Sequence, residues 1–205
     1  EQRAFLLRPG VSMQDLGRIE VPNPEGGSSA LGLNELRQVV GTSVVGPYDP
    51  PESPMHAFLY KCEEMLDLGT LGGQYSVAEA INERGQVVGQ ASTPDFHFNR
   101  AFLYYKGVMK NLGALPGGDF SSATDVNDHG HVVGFSSGPA TGESDTGWQK
   151  AFIYYSGKMR DLNRMIDPAS GWVLVNAGGI NNTGQIAATG CKGLTCYAVR
   201  LDPMP

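Results

Sequence analysis

The chain has 205 residues, enough for one domain with a sizeable core, and is 40% hydrophobic and 18% charged. Its net charge is −6, and its 15 basic residues are scattered singly rather than clustered as phosphate backbones require, so nucleic acid is not an expected partner. No apolar run approaches the roughly 18 residues of a membrane span, whereas 28 Gly and 13 Pro point to many short strands and tight turns.

The chain opens at Glu1-Gln2-Arg3, with neither an initiator Met nor a signal-peptide pattern, which reads as a processed or trimmed product. Four strand-like runs then recur. Run c reads Ala-Phe-Leu-Tyr and starts at Ala4, Ala57, Ala101 and Ala151, with a weaker fifth copy at Ala198; the spacings are 53, 44, 50 and 47 residues. Run d, Met-x-Asp-Leu, follows at Met13, Met65, Met109 (with Asn111 for Asp) and Met159. Runs a and b together read Ala-x-x-Ile-Asn-x-x-Gly-Gln-Val-Val-Gly, from Ala30 to Gly41, Ala78 to Gly89, Ala123 to Gly134, and Ala177 onward. The first copy has Arg37 in place of the turn Gly, and the last has Ile186-Ala187-Ala188 for Val-Val-Gly.

β-branched and aromatic residues dominate b and c, and Asn-x-x-Gly between a and b is a turn signal. Each unit therefore reads as a four-stranded antiparallel meander. A lone meander cannot hide two apolar faces, but stacked and radially closed repeats can. The expectation is an all-β fold over residues 1–205: a small β-propeller of four blades, each with four antiparallel strands. The N- and C-terminal strands would share the closing blade. The fifth c run is surplus, and which terminal copy completes that blade stays open. The alternatives are an open solenoid and a prism-like stack.

Cys191 and Cys196 flank Lys-Gly-Leu-Thr, a hairpin tip that brings them within disulfide range and leaves Cys62 over. A disulfide, few Lys and Gly-rich repeats fit an oxidising compartment.

The motifs resemble those of the HAF family of extracellular repeat proteins. The resemblance rests on His56-Ala57-Phe58-Leu59-Tyr60, on Met65 through Gly73, and on Ala80-Ile81-Asn82 with Gly85-Gln86-Val87-Val88-Gly89. It covers almost the whole chain. It implies bacterial origin, export to the cell exterior or surface, and a propeller-like fold. It brings no activity and no catalytic residues.

Strand order puts the short a–b and c–d turns on one face and the long b–c and d–a loops on the other. Binding residues concentrate on loops held by a rigid scaffold. The expected partner face thus carries Tyr48, Tyr75, Phe96, His97, Phe98, Phe120, Trp148 and Trp172. These aromatics suit a sugar ring or a protein side chain, although each could instead pack its own loop. Asp15, Asp67, Asn111 and Asp161 recur at one strand position and read as strand-end hydrogen-bond partners. His129-Gly130-His131 lacks a third metal ligand, and no cofactor or metal is expected. No His-Glu-x-x-His or phosphate loop is present, and Glu52, Asp95, Asp119 and Asp145 form the pool of acids from which a catalytic pair could come. The leading expectation is a secreted, non-enzymatic module binding a glycan or a protein. The alternatives are a structural subunit of an extracellular assembly and a carbohydrate-active hydrolase or lyase.

Overall fold

The computed structural model describes residues 2–7, 9–10, 12–19, 26–46, 53–94, 98–139 and 147–203. The first c–d pair is a two-stranded sheet, β1 (Ala4–Leu6) and β2 (Gln14–Gly17). Three complete a–b–c–d units follow. The first is β3 (Ser28–Leu33), β4 (Val39–Val44), β5 (Met55–Lys61) and β6 (Glu64–Asp67). The second is β7 (Ser76–Ile81), β8 (Val87–Ser92), β9 (Asn99–Tyr105) and β10 (Val108–Gly113). The third is β11 (Phe120–Val126), β12 (Val132–Gly138), β13 (Trp148–Tyr155) and β14 (Lys158–Asp161). Two 3-10 turns, Leu162–Arg164 and Pro168–Ser170, lead to a three-stranded sheet: β15 (Val173–Ile180), β16 (Ile186–Lys192) and β17 (Thr195–Leu201). Every sheet is an antiparallel meander, so the all-β reading and the strand order within each unit hold.

The motifs have local causes. In the a–b turn, the Asn82 carboxamide oxygen accepts the amides of Arg84 and Gln86, and Gly85 closes the turn at φ 73°. Arg37 takes that left-handed conformation at φ 61°, where a side chain is disfavoured. Strand a carries a bulge after its Ala, seen between Ala30 and Gly32, Ala78 and Ala80, and Ala123 and Asp125. The bulge brings strand a close to strand b. A Cβ on Gly41, Gly89 or Gly134 would collide with the carbonyl oxygen of Ser29, Val77 or Ser122, which explains the Gly of Val-Val-Gly.

Alternate residues of each unit face opposite neighbours. Ala57 and Leu59 pack with Ala78, Val87 and Phe102 of the next unit, while Phe58 and Tyr60 pack back onto Ala4 and Leu16. The arrangement repeats at the next two interfaces. Neighbouring a strands (β3 with β7, β7 with β11, β11 with β15) pack closely, whereas d strands barely meet, so the sheets fan outward.

Polar side chains tie unit to unit. Ser76 Oγ accepts the Ala57 amide at 2.8 Å and donates to the Gly69 carbonyl at 2.5 Å, knitting strand a to the preceding c and d runs. Ser28 and Ser121 do the same for Ala4 with Gly17 and for Ala101 with Gly113. Asn34 Nδ2 donates to the Asn82 carbonyl, Asn82 to Asn127 and Asn127 to Asn181, at 3.0, 2.8 and 3.0 Å.

The terminal strands do not share a closing blade: β1–β2 and β15–β16–β17 are separate sheets. The surplus c run, β17, holds the outer edge of β16 in full register from Ile186↔Leu201 to Lys192↔Thr195. A neighbouring strand closes a far shorter loop than one nearly the whole chain away, and the Cys191–Cys196 disulfide fixes the hairpin. Among the described residues, no more than marginal contact joins this last sheet to β1–β2 or β3–β6.

Ser76→Ala leaves the buried Ala57 amide and the half-buried Gly69 carbonyl without this partner and is expected to cost about 1–3 kcal/mol. Gly89→Ala is expected to cost a similar amount, about 1–3 kcal/mol, by overpacking. Differential scanning calorimetry checks both; an unchanged Tm for either variant contradicts the corresponding interaction.

Candidate functional site

The d-strand acids are strand-end partners, as their recurrence indicates. Asp15, Asp67 and Asn111 accept the amides of Gly17, Gly69 and Gly113 at 2.7–2.8 Å, and Asp161 accepts that of Asn163 at 2.9 Å. Three of them also meet a cation at the start of run c. Arg3 pairs with Asp15 at 3.8 Å, His56 with Asp67 at 2.9 Å, and Lys150 with Asp161 at 3.9 Å. In the third position the neutral Asn111 releases Arg100, which donates to the Asp119 carbonyl instead. Burial works to raise the Asp67 carboxyl, but hydrogen bonds from His56 and the Gly69 amide, with the His56 charge, hold it below its ordinary value.

Of the expected aromatic set, Tyr48, Phe96 and His97 lie outside the described residues, as do Glu52, Asp95 and Asp145 of the acid pool. Tyr75 immediately precedes β7 and forms an isolated parallel bridge with Met55, its amide held by Ser92 Oγ at 2.9 Å. Phe98 lies under the Arg100 guanidinium, 5.3 Å from the ring centroid. Phe120 stacks on Phe135, with centroids 5.7 Å apart, and Trp172 meets Tyr197 edge-on at 5.7 Å. The rings of Phe98, Phe120 and Trp172 thus have partners within their own units.

Trp148 differs. Its ring lies against Gly138, where a Cβ would meet it at 2.5 Å, and it borders a cleft of about 360 Å³ on the long-loop side. The floor is Leu115 and Met159, and the rim carries Lys150, Arg160, Asp161 and Arg164. The Lys150 ammonium is 4.9 Å from the Trp148 centroid. Arg160 is committed to Tyr155, 3.9 Å above its ring and donating to its carbonyl at 3.0 Å. Arg164, on the 3-10 turn after β14, has no hydrogen bond or ion pair among the described residues. Three cations face one carboxylate, so the cleft has a local positive excess on an acidic protein. Its chemistry suits a ring stacked on indole with an anionic group beside Lys150 and Arg164.

The His129 and His131 rings lie 5.9 Å apart, with His131 against Tyr155 at 5.6 Å. Burial and the neighbouring His129 push the His131 imidazole below its ordinary value. No group of three or more His, Cys, Asp or Glu side chains suited to a metal occurs among the described residues. No helix among them is long and apolar enough to cross a membrane.

Lys150 is signalled in the sequence by its place before Ala-Phe, shared with Arg3, His56 and Arg100. Arg164 carries no repeat signal and emerges only from the turn that places it. No protein-family model matches the chain, and no curated protein matches it in sequence.

A carboxyl whose value is lowered on folding stabilises above its ordinary pKa, and that stability is lost as pH falls through the folded value. Asp67→Asn is therefore expected to be less stable than the parent near pH 6, with the gap closing below about pH 4. Thermal melts across that range check it; a constant gap overturns the assignment.

Proposed function

We propose that this chain is a non-enzymatic binding module of the cell exterior, built as an arc of propeller-like blades. It recognises an acidic glycan on the face formed by the b–c and d–a loops. The observation that carries the reading is the Trp148 cleft, where an aromatic platform stands beside Lys150 and the uncommitted Arg164. Platforms of this kind accept the apolar face of a sugar ring, and the cations select a carboxylate or sulfate on it. The fan of sheets supports a propeller-like arc. The Cys191–Cys196 disulfide and the likeness to HAF repeats support export.

A second reading, a structural subunit of a larger extracellular assembly, is favoured by one observation. Phe5, Leu7, Met13 and Leu33 at the N-terminal end are 55%, 66%, 62% and 74% exposed. A large apolar patch marks an interaction surface.

A glycan array followed by calorimetry tests the binding reading. Uronic-acid or sulfated oligosaccharides are expected to bind and neutral ones to bind weakly. Trp148→Ala and Arg164→Ala are each expected to weaken binding about tenfold, the latter also flattening its salt dependence. Equal binding by both variants removes the cleft from the function.

A further inference from the structure

The a–b turn between β11 and β12 departs from its counterparts at two positions. Where the other turns end on Gln38, Gln86 and Gln185, this one ends on His131. Two residues earlier the others carry Leu36, Arg84 and Thr183, and this one carries His129. The Gln has a fixed role in the scaffold. The turn Asn donates from Nδ2 to its Oε1: Asn34 to Gln38 at 2.7 Å, Asn82 to Gln86 at 2.7 Å and Asn181 to Gln185 at 2.8 Å. His131 does not take that bond. Among the described residues, Asn127 Nδ2 keeps only the rung to the Asn181 carbonyl, at 3.0 Å.

The fold nevertheless fixes both histidines by their backbones. One oxygen, Asn127 Oδ1, accepts the amides of His129 and His131, each at 3.0 Å, and Asn127 is buried. Gly130, at φ 78°, turns the chain between them, and its amide donates to the Asn127 carbonyl at 2.9 Å. The two rings are thereby held with centroids 5.9 Å apart, His129 exposed and His131 half-buried against Tyr155. Neither imidazole has a hydrogen bond or ion pair among the described residues.

The pair borders a cleft of about 370 Å³, walled by Ile153 and Tyr155 of its own unit and by Ile180 and Asn182 of the next. That volume holds an ion with several waters. Asn182 is engaged with Asp128, through bonds of 2.8 and 2.7 Å, and Thr183 with Asn181 at 2.8 Å. The imidazoles are therefore left as the available ligands. Tyr155 also borders a larger cleft of about 600 Å³ beside β17, so the approach is open.

Two imidazoles do not make a structural zinc site, which takes four protein ligands. They do suit a tetragonal ion whose remaining positions water fills, and imidazole affinity among the divalent first-row metals peaks at copper. The chain's net charge of −6 draws cations. We propose that His129 and His131 together bind one copper(II) ion, with water completing its shell. The site lies at an a–b turn, away from the Trp148 cleft, and is independent of the glycan reading.

Calorimetry and electron paramagnetic resonance with copper(II), supplied as its glycine complex at about pH 7.5, test this above the ordinary imidazole range. The Cys62→Ser chain is used, because the exposed free thiol is a competing ligand. One equivalent is expected to bind, with the spectral signature of two imidazole nitrogens. His131→Gln restores the residue of the other three turns, with its bond from Asn127, so the fold is expected to hold. His129→Arg restores the residue of the preceding turn. Each is expected to weaken copper binding by more than the roughly 10–100-fold that loss of an outer-shell partner costs. His56→Ala, which removes an imidazole paired with Asp67, is expected to leave copper binding unchanged. Copper bound equally well by His131→Gln overturns the proposal, as does a signal from a single imidazole or a parent chain that takes no copper from glycine.

Discussion

Everything in this fold depends on satisfying, across each gap between sheets, backbone groups that neither sheet can satisfy alone. The amide of Ala57 and the carbonyl of Gly69 lie at the outer, c and d, side of their unit, and both are met by one hydroxyl, Ser76, of the next. On the opposite face, Asn82 spans to Asn127 from within its own turn. Buried polar groups are costly when unpaired, and a side chain reaches only a few ångströms. The two residues therefore fix the distance between units at both ends of the sheet. The fourth unit shows the constraint by its exception. Val175 stands where the serine should be, and Asn163 from the preceding loop takes over, bonding the Leu174 amide at 2.7 Å and its carbonyl at 2.9 Å.

That constraint decides what could be read from the sequence. Strand identities were legible because each run repeats with its turn residue, and the d-strand acids were legible as scaffold because all copies share them. The Cys191–Cys196 pair was legible because hairpin spacing is local. The fate of the terminal strands was not. A motif states what kind of strand a segment is, and β1 and β17 are the same kind, so composition cannot rank them for one edge. Loop closure and a covalent tie rank them instead. A fuller signal was present, however: Ala187 and Arg200 replace the Val and the Leu or Ile that face the next unit elsewhere, so the outer surface of the β15–β17 sheet differs from the others.

The same logic separates site from scaffold. Phe120 and Trp172 stood out in the sequence as aromatics on variable loops, yet each finds an aromatic partner on its own sheet. Trp148 stood out for the same reason, and only the fold distinguishes it, through the cations it is placed beside. The cation–acid rung is itself repeated, as Arg3–Asp15, His56–Asp67 and Lys150–Asp161. It is structural in every copy. At Lys150–Asp161 the chain continues into a 3-10 turn that sets Arg164 over the same cleft. Specific chemistry here arises where a common rung meets an uncommon loop.

The 3-10 turn also links the two open features of the molecule. Met165, at its end, borders both the Trp148 cleft and the larger cleft beside β17. Leu162, at its start, is 3% exposed and anchors the turn in the core between the third and last units, so the segment is rigid at its base and exposed at its tip.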